Sequence, residues 1–237
     1  MTIDTAMVMA AGLGTRLRPL TNNTPKPLLP FAGRSMLDRV LDHLVAGNIK
    51  RAVVNVHYLP DQIIAHLEQR KDMEIFISDE RDALLDSGGG IKKALPLIAR
   101  DAFITVNADA VWDDPVDAPP ALTRLLEAWN PQTMETLMLL ADKNSAVGFD
   151  GAGDYFADAS GQLHWRGMRN AAPYVYASLA IDKAWHYANH ADQKFSRKPL
   201  WDKHEANGKL HGIIHHGTWY HCSTPDDYAA VNTAMAA

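Results

Sequence analysis

A short apolar run, Met7-Val8-Met9-Ala10, gives way to glycines at Gly12 and Gly14, and this strand-then-glycine-loop arrangement constrains the fold more than any other feature. A loop without Cβ atoms at those points can turn its backbone N–H groups toward an anion. The segments that follow supply a sheet to hold that strand. Ser35 with Asp38 three residues on reads as a capping box, ahead of a helix lined by Leu37, Val40, Leu41 and Leu44 and stopped by Gly47 at C′. Ala52 to Val56 is a second strand. Pro60 opens a helix carrying Ile63, Ile64 and Leu67. Glu74 to Ile77 (strand), Ile91 to Ile98 (helix), Phe103 to Val106 (strand), Leu122 to Trp129 (helix) and Thr136 to Leu140 (strand) continue the alternation. That pattern predicts an α/β fold in which helices cover a largely parallel sheet.

Beyond Val147 the rhythm changes to glycine-punctuated pieces, which predict β-hairpins up to about Gly167. Tyr174 to Ile181 reads as a returning strand, Asp182 to His190 as a helix, and Ile213 to His221 as strand-like pieces interrupted at Gly217. Thr224 with Asp227, and Pro225 at the first helical position, cap a final helix to Met235. At 237 residues one core accommodates the whole, so residues 1–237 are expected to form a single domain with an insertion near 143–173.

The net charge of -5 argues against a nucleic-acid backbone as partner, because that role favours a basic surface. No window approaches the roughly 18 consecutive apolar residues of a membrane span, and the opening residues lack a basic signal-peptide region. A cytoplasmic protein with no membrane partner is expected. Cys222 is the only cysteine, which excludes an internal disulfide and a cysteine-based zinc site. His211, His215, His216 and His221 invite a histidine site, but His215 and His216 point to opposite faces of a strand.

The chemistry concentrates in MAAGLGTRLRPLTNNTPKPLLP, residues 9–30. No Gly-Lys-Ser/Thr follows, so it is not a P-loop, and Leu17 stands where a dinucleotide fingerprint needs its third glycine. What it adds is charge: Arg16 offers a planar fork to phosphate oxygens, and Lys26 a point charge whose backbone is restricted by Pro25 and Pro27.

This segment resembles the signature of the sugar-1-phosphate nucleotidylyltransferases, approximately G-x-G-T-R-L-x-P-L-T followed by P-K-P-L. The resemblance implies a Rossmann-like three-layer αβα sandwich with a mixed, mainly parallel central sheet and a small β-rich insertion. It further implies nucleotide contacts at Ala11, Gly12, Gly14 and Thr15, with Arg16 and Lys26 as the catalytic cations.

Three later motifs extend the reading. Asp86-Ser87-Gly88-Gly89-Gly90 is expected as a close-packing turn ahead of a helix, its N-terminus favouring negative charge; the resemblance sets Gly89 against the nucleotide base. Thr105 to Asp109 ends a strand where open α/β sheets place ligands. There the resemblance makes Asp109 a magnesium ligand and Asn107 a nucleotide contact, while Asp113 and Asp114 read as solvated turn residues. In Gly217 to Thr224 the chain departs from the family's W-x-D-x-G-T, placing His221 where a second metal-binding aspartate is expected and Ser223 where glycine is. Imidazole suits Mn²⁺ better than Mg²⁺, so Mg²⁺ is the expected cofactor with Mn²⁺ as alternative.

The resemblance implies attack of a sugar-1-phosphate on the α-phosphorus of a nucleoside triphosphate. The short length, the DSGGGI turn and the stretch KPLWDKHEANGKLHG are most similar to bacterial N-acetylmuramate-1-phosphate uridylyltransferases of peptidoglycan recycling, which favours UTP. Mannose-1-phosphate guanylyl and glucose-1-phosphate thymidylyl transfer stay open, as do cytidylyl or molybdopterin-type transfer and a non-catalytic nucleotide-sugar sensor. Asp154, in the insertion, is the candidate sugar contact.

Overall fold

The computed structural model describes residues 3–236. Its centre is a mixed sheet built from β1 (Thr5–Met9), β2 (Arg51–Val56), β3 (Glu74–Asp79), β4 (Ala102–Asn107), β5 (Thr136–Asp142), β6 (Tyr155–Ala157), β7 (Leu163–Trp165), β8 (Tyr174–Lys183) and β9 (Leu210–Ile214). The order is β3-β2-β1-β4-β8-β5-β9. β3, β2, β1 and β4 run parallel; β8 enters antiparallel between β4 and β5, and β9 is parallel to β5. The β6–β7 hairpin, the expected β-rich insertion, joins the sheet through Tyr155 opposite Tyr174 at the start of β8.

Strand periodicity sorts the core into two layers of helix. Ala6, Val8, Val54, Ile104 and Val106 face α1 (Met36–Ala46), α2 (Pro60–Leu67) and α4 (Ala121–Ala128). The alternate residues Met7, Val53 and Phe103 face α3 (Asp86–Ile98) and α5 (Ala184–Ala188). Met138, Leu140 and Ala180 pack on Trp201 of α6 (Lys198–Ala206). This is the αβα sandwich expected from the sequence, with both sheet faces covered because both residue parities are apolar. α7 (Pro225–Ala236) closes a separate cluster with Leu17, Phe31, Met36 and Tyr220, which fixes the far end of the glycine loop.

Local capping follows the residues. Ser35 Oγ accepts from the Asp38 N–H at 3.0 Å, and the Thr224 hydroxyl accepts from that of Asp227 at 3.2 Å. Three expectations are corrected. Gly47 is not the left-handed residue after α1; Asn48 is, at φ 64, and Gly47 is glycine because a Cβ there would overlap Leu122. Asp182 does not open a helix: it lies on β8, buried, accepting from the Thr105 and Thr136 hydroxyls at 2.8 and 2.7 Å, and helix begins only at Ala184. The three glycines after Ser87 are not a turn before α3 but lie within it. Their place is set by packing. A Cβ on Gly88 would overlap the Phe195 ring, one on Gly89 the Gln193 carbonyl, and one on Gly90 would sit 2.7 Å from Glu80 Oε1 and 2.9 Å from Asn55 Nδ2.

Candidate active site

The parallel strands end on one side of the sheet, and their C-terminal ends surround a cavity of about 500 Å³. It is lined by Ala11, Gly12 and Gly14 of the loop after β1, by Lys26, and by Asn107 and Asp109 after β4. Gly14 adopts φ +62, a conformation L-residues resist, with a notional Cβ 3.1 Å from Thr21 and 3.3 Å from Lys26. Gly12 is different: a Cβ there meets nothing within 4 Å, so glycine keeps the cleft open rather than relieving a clash. The Thr21 hydroxyl donates to the Gly14 carbonyl at 2.8 Å, and the Leu17 N–H to the same oxygen at 3.0 Å. Leu17 is buried, an anchor where a dinucleotide loop has glycine.

Lys26 begins a single 3-10 turn, Lys26–Leu28, after the extended Pro25. Its ammonium pairs with the Asp109 carboxylate and donates to the Cys222 carbonyl at 2.6 Å. Two oxygen acceptors from distant parts of the chain therefore meet one ammonium beside the cavity. The Ala108 N–H donates to the Met9 carbonyl at 3.1 Å, tying the end of β4 to that of β1. Thr15 and Arg16 stand exposed on the loop beyond the lining residues.

The remaining candidates are dispersed. Gly89 does not line the cavity; its N–H and that of Gly88 donate to the Phe195 carbonyl at 3.1 and 2.8 Å. The α3 N-terminus, expected to be available to an anion, is thus occupied by a strap at residues 191–197, and Asp86 and Ser87 face the cavity instead. His221 is half-buried, which lowers its pKa, and its Nε2 lies 2.8 Å from Ser223 Oγ with the ring edge-on to Phe149. Among the described residues no three His, Cys, Asp or Glu side chains gather as a metal site; His221 lies within electrostatic reach of Lys26 and Asp109. Asp154 lies off the cavity lining; its carboxylate accepts from the Tyr176 N–H at 3.0 Å, and burial raises its pKa. Asp113 and Asp114 are not free turn residues. Asp113 accepts from the Tyr220 hydroxyl at 2.7 Å, while Asp114 accepts from the first N–H of α4 at 2.7 Å and pairs with His43 at 3.4 Å.

Four cavity residues, Asn55, Glu80, Leu84 and Lys194, escaped the sequence reading. Asn55 and Glu80, both buried, form a brace: the Ala10 N–H donates to Asn55 Oδ1 at 2.7 Å, Asn55 Nδ2 to Glu80 Oε1 at 2.7 Å, and the Leu85 N–H to Glu80 Oε2 at 3.2 Å. An asparagine inside the apolar run Ala52-Val53-Val54-Asn55-Val56 was the available signal, since a buried amide requires partners. Lys194, carried by the strap, lines the cavity and left no signal in its polar surroundings.

Comparison with known proteins decides the family. Residues 5–149 match the family described as nucleotidyl transferase. The chain is 40% identical over 235 residues to the N-acetylmuramate alpha-1-phosphate uridylyltransferase of Caulobacter vibrioides, covering 98% of this chain and 96% of that protein. The chain belongs to the nucleotidyl transferase family. Its fold is shared with solved structures of low identity. HddC from Yersinia pseudotuberculosis superposes with a TM-score of 0.77 at 18% identity, covering 98% of this chain and 99% of that one. The inositol-1-phosphate CTP transferase from T. maritima gives 0.74 at 14%, covering 99% and 97%. This nucleotidyl transferase therefore carries the family's glycine loop, with Lys26 and Asp109 brought together behind it.

Proposed function

We propose that the protein transfers UMP from UTP to N-acetylmuramate-1-phosphate in the cytoplasm, releasing pyrophosphate and forming a nucleotide sugar. The observation that carries the reaction class is the convergence of Lys26, Asp109 and the open Gly12 edge on one cavity. The likeness to the Caulobacter vibrioides enzyme runs through the insertion at 143–173 as well as the loop, which favours the same acceptor and base.

The acceptor needs no protein base, because a phosphate monoester with second pKa near 6 is already ionised at neutral pH. What the protein must supply is position and charge. Lys26 offsets repulsion between the acceptor phosphate and the α-phosphate, and Arg16 at the loop rim neutralises charge on the departing pyrophosphate. The oxygens around Lys26 suit a hard cation: Mg²⁺ is commonly held by one or two carboxylates, with substrate phosphates and water completing its shell. Asp109 is the residue that would hold it, and the ion would supply charge neutralisation at the phosphates. A pyrophosphate-release screen tests the reading, with five nucleoside triphosphates against a panel of sugar-1-phosphates, in Mg²⁺ and in Mn²⁺. UTP with N-acetylmuramate-1-phosphate should be the productive pair. A different pair reassigns the substrate, and nucleotide binding without release in any combination makes the protein a sensor.

A further inference from the structure

Six non-glycine residues among those described adopt positive φ. Ala32, Asn48, Leu59 and Ala99 lie in a hairpin turn or at helix ends, and Asp86 opens α3. Ser178 is the exception. At φ 63 it lies inside β8, a strand in the middle of the sheet, where the pairing with β5 shifts register between Tyr176 and Ala180. An L-residue in the left-handed region of a central strand is strained, and such strain persists where the surroundings impose it, most often beside a functional site.

What Ser178 reaches is Asn107. Leu179 pairs with Val106 of β4, which sets Ser178 next to the end of that strand, and Asn107 Nδ2 donates to Ser178 Oγ at 3.1 Å. Asn107 lines the cavity beside Asp109. The order of strands tells which substrate is concerned. Cavity residues Asn55, Glu80, Asp86 and Ser87 lie at or beyond the ends of β2 and β3, on one flank of β1. β8 lies on the opposite flank, beyond β4, and carries the β6–β7 hairpin. A nucleotide spanning the glycine loop toward β2 and β3 leaves the β4–β8 flank to the acceptor.

We infer that Ser178 is a positioning residue for the acceptor, and that Asn107, which the family resemblance assigns to the nucleotide, serves the acceptor instead: the bulged, left-handed backbone delivers the Ser178 hydroxyl to Asn107 and fixes that carboxamide against the incoming sugar phosphate. The inference rests on the transferase reading for the identity of the acceptor.

Two variants separate strain from hydrogen bonding. Ser178→Gly and Ser178→Ala both remove the hydroxyl, but only glycine relieves the backbone. Ser178→Gly should therefore melt about 2–4 °C above Ser178→Ala. Both should lose about tenfold in kcat/KM for N-acetylmuramate-1-phosphate, the scale of one hydrogen bond, with the KM for UTP unchanged. Equal melting of the two variants, wild-type acceptor constants in both, or an equal rise in the UTP KM would each overturn the inference. Calorimetric titration of N-acetylmuramate-1-phosphate into protein loaded with a non-hydrolysable UTP analogue keeps the two readings apart. A wild type that binds the acceptor without turnover fails the transferase reading, and weaker acceptor binding by both variants then still supports the role of Ser178, while unchanged binding removes it. A wild type that does not bind the acceptor removes N-acetylmuramate-1-phosphate as the substrate and overturns the inference for Ser178.

Discussion

At the scale of single residues, charge placement dominates. Lys26 is held by Asp109 and the Cys222 carbonyl, so its ammonium is positioned before any substrate arrives. Lys26→Ala should lower turnover by roughly 100-fold or more, the scale of one preorganised electrostatic contact, while circular dichroism shows the fold retained. The two lysines of the cavity differ in kind. Lys26 is paired, whereas Lys194 is exposed and forms no ion pair among the described residues. An uncommitted ammonium at the cavity suits a nucleotide anion, so Lys194→Met should raise the KM for UTP several-fold and Lys194→Arg should restore it. Steady-state kinetics at saturating acceptor reads both.

At the scale of elements, the strap at 191–197 packs backbone to backbone against α3 beside the site. Gly88 and Gly89 allow the strap's backbone to lie against the helix, and Gly90 allows α3 to approach the Asn55–Glu80 brace. Gly90→Ala would place a methyl 2.7 Å from a buried carboxylate oxygen. The expected loss is about 1–3 kcal/mol, the usual consequence of overpacking, read as a lower urea midpoint with unchanged slope. Because the same brace holds the Ala10 N–H, nucleotide affinity should fall with stability in this variant.

At the scale of the molecule, buried histidines set the response to acid. Burial pushes His204 down to about 4, and it lowers His186, His215 and His221 as well. His204 Nδ1 lies 3.0 Å from the Thr136 hydroxyl, and its Nε2 is buried without a partner. In each case the unfolded chain takes up a proton at higher pH than the folded one. Stability is therefore complete above the ordinary imidazole pKa of about 6.5 and falls as pH drops toward 4, by roughly 3 kcal/mol for His204. Asp154 works in the opposite sense, since burial raises its carboxyl. Urea unfolding between pH 7 and 4 should show stability declining with uptake of more than one proton; a flat profile would contradict neutral, buried histidines.

Local patterns carry the glycine loop, its cations, the covering of a largely parallel sheet by helices and the ends of most elements, because these depend on backbone freedom, periodicity and capping among near neighbours. Gly14, Ser35, Leu17 and Thr224 are local in that sense. Tertiary structure alone decided what distant segments do to one another. It set Lys26 against residues 109 and 222, seated the strap on the α3 N-terminus expected to face a ligand, and placed Asp182 on a strand that reads like a helix start. Those outcomes rest on contacts between residues 46 or more positions apart, for which no local pattern exists. The same reason applies to Ser178: its strain arises from the register of β8 between two neighbours, and register is a property of the assembled sheet.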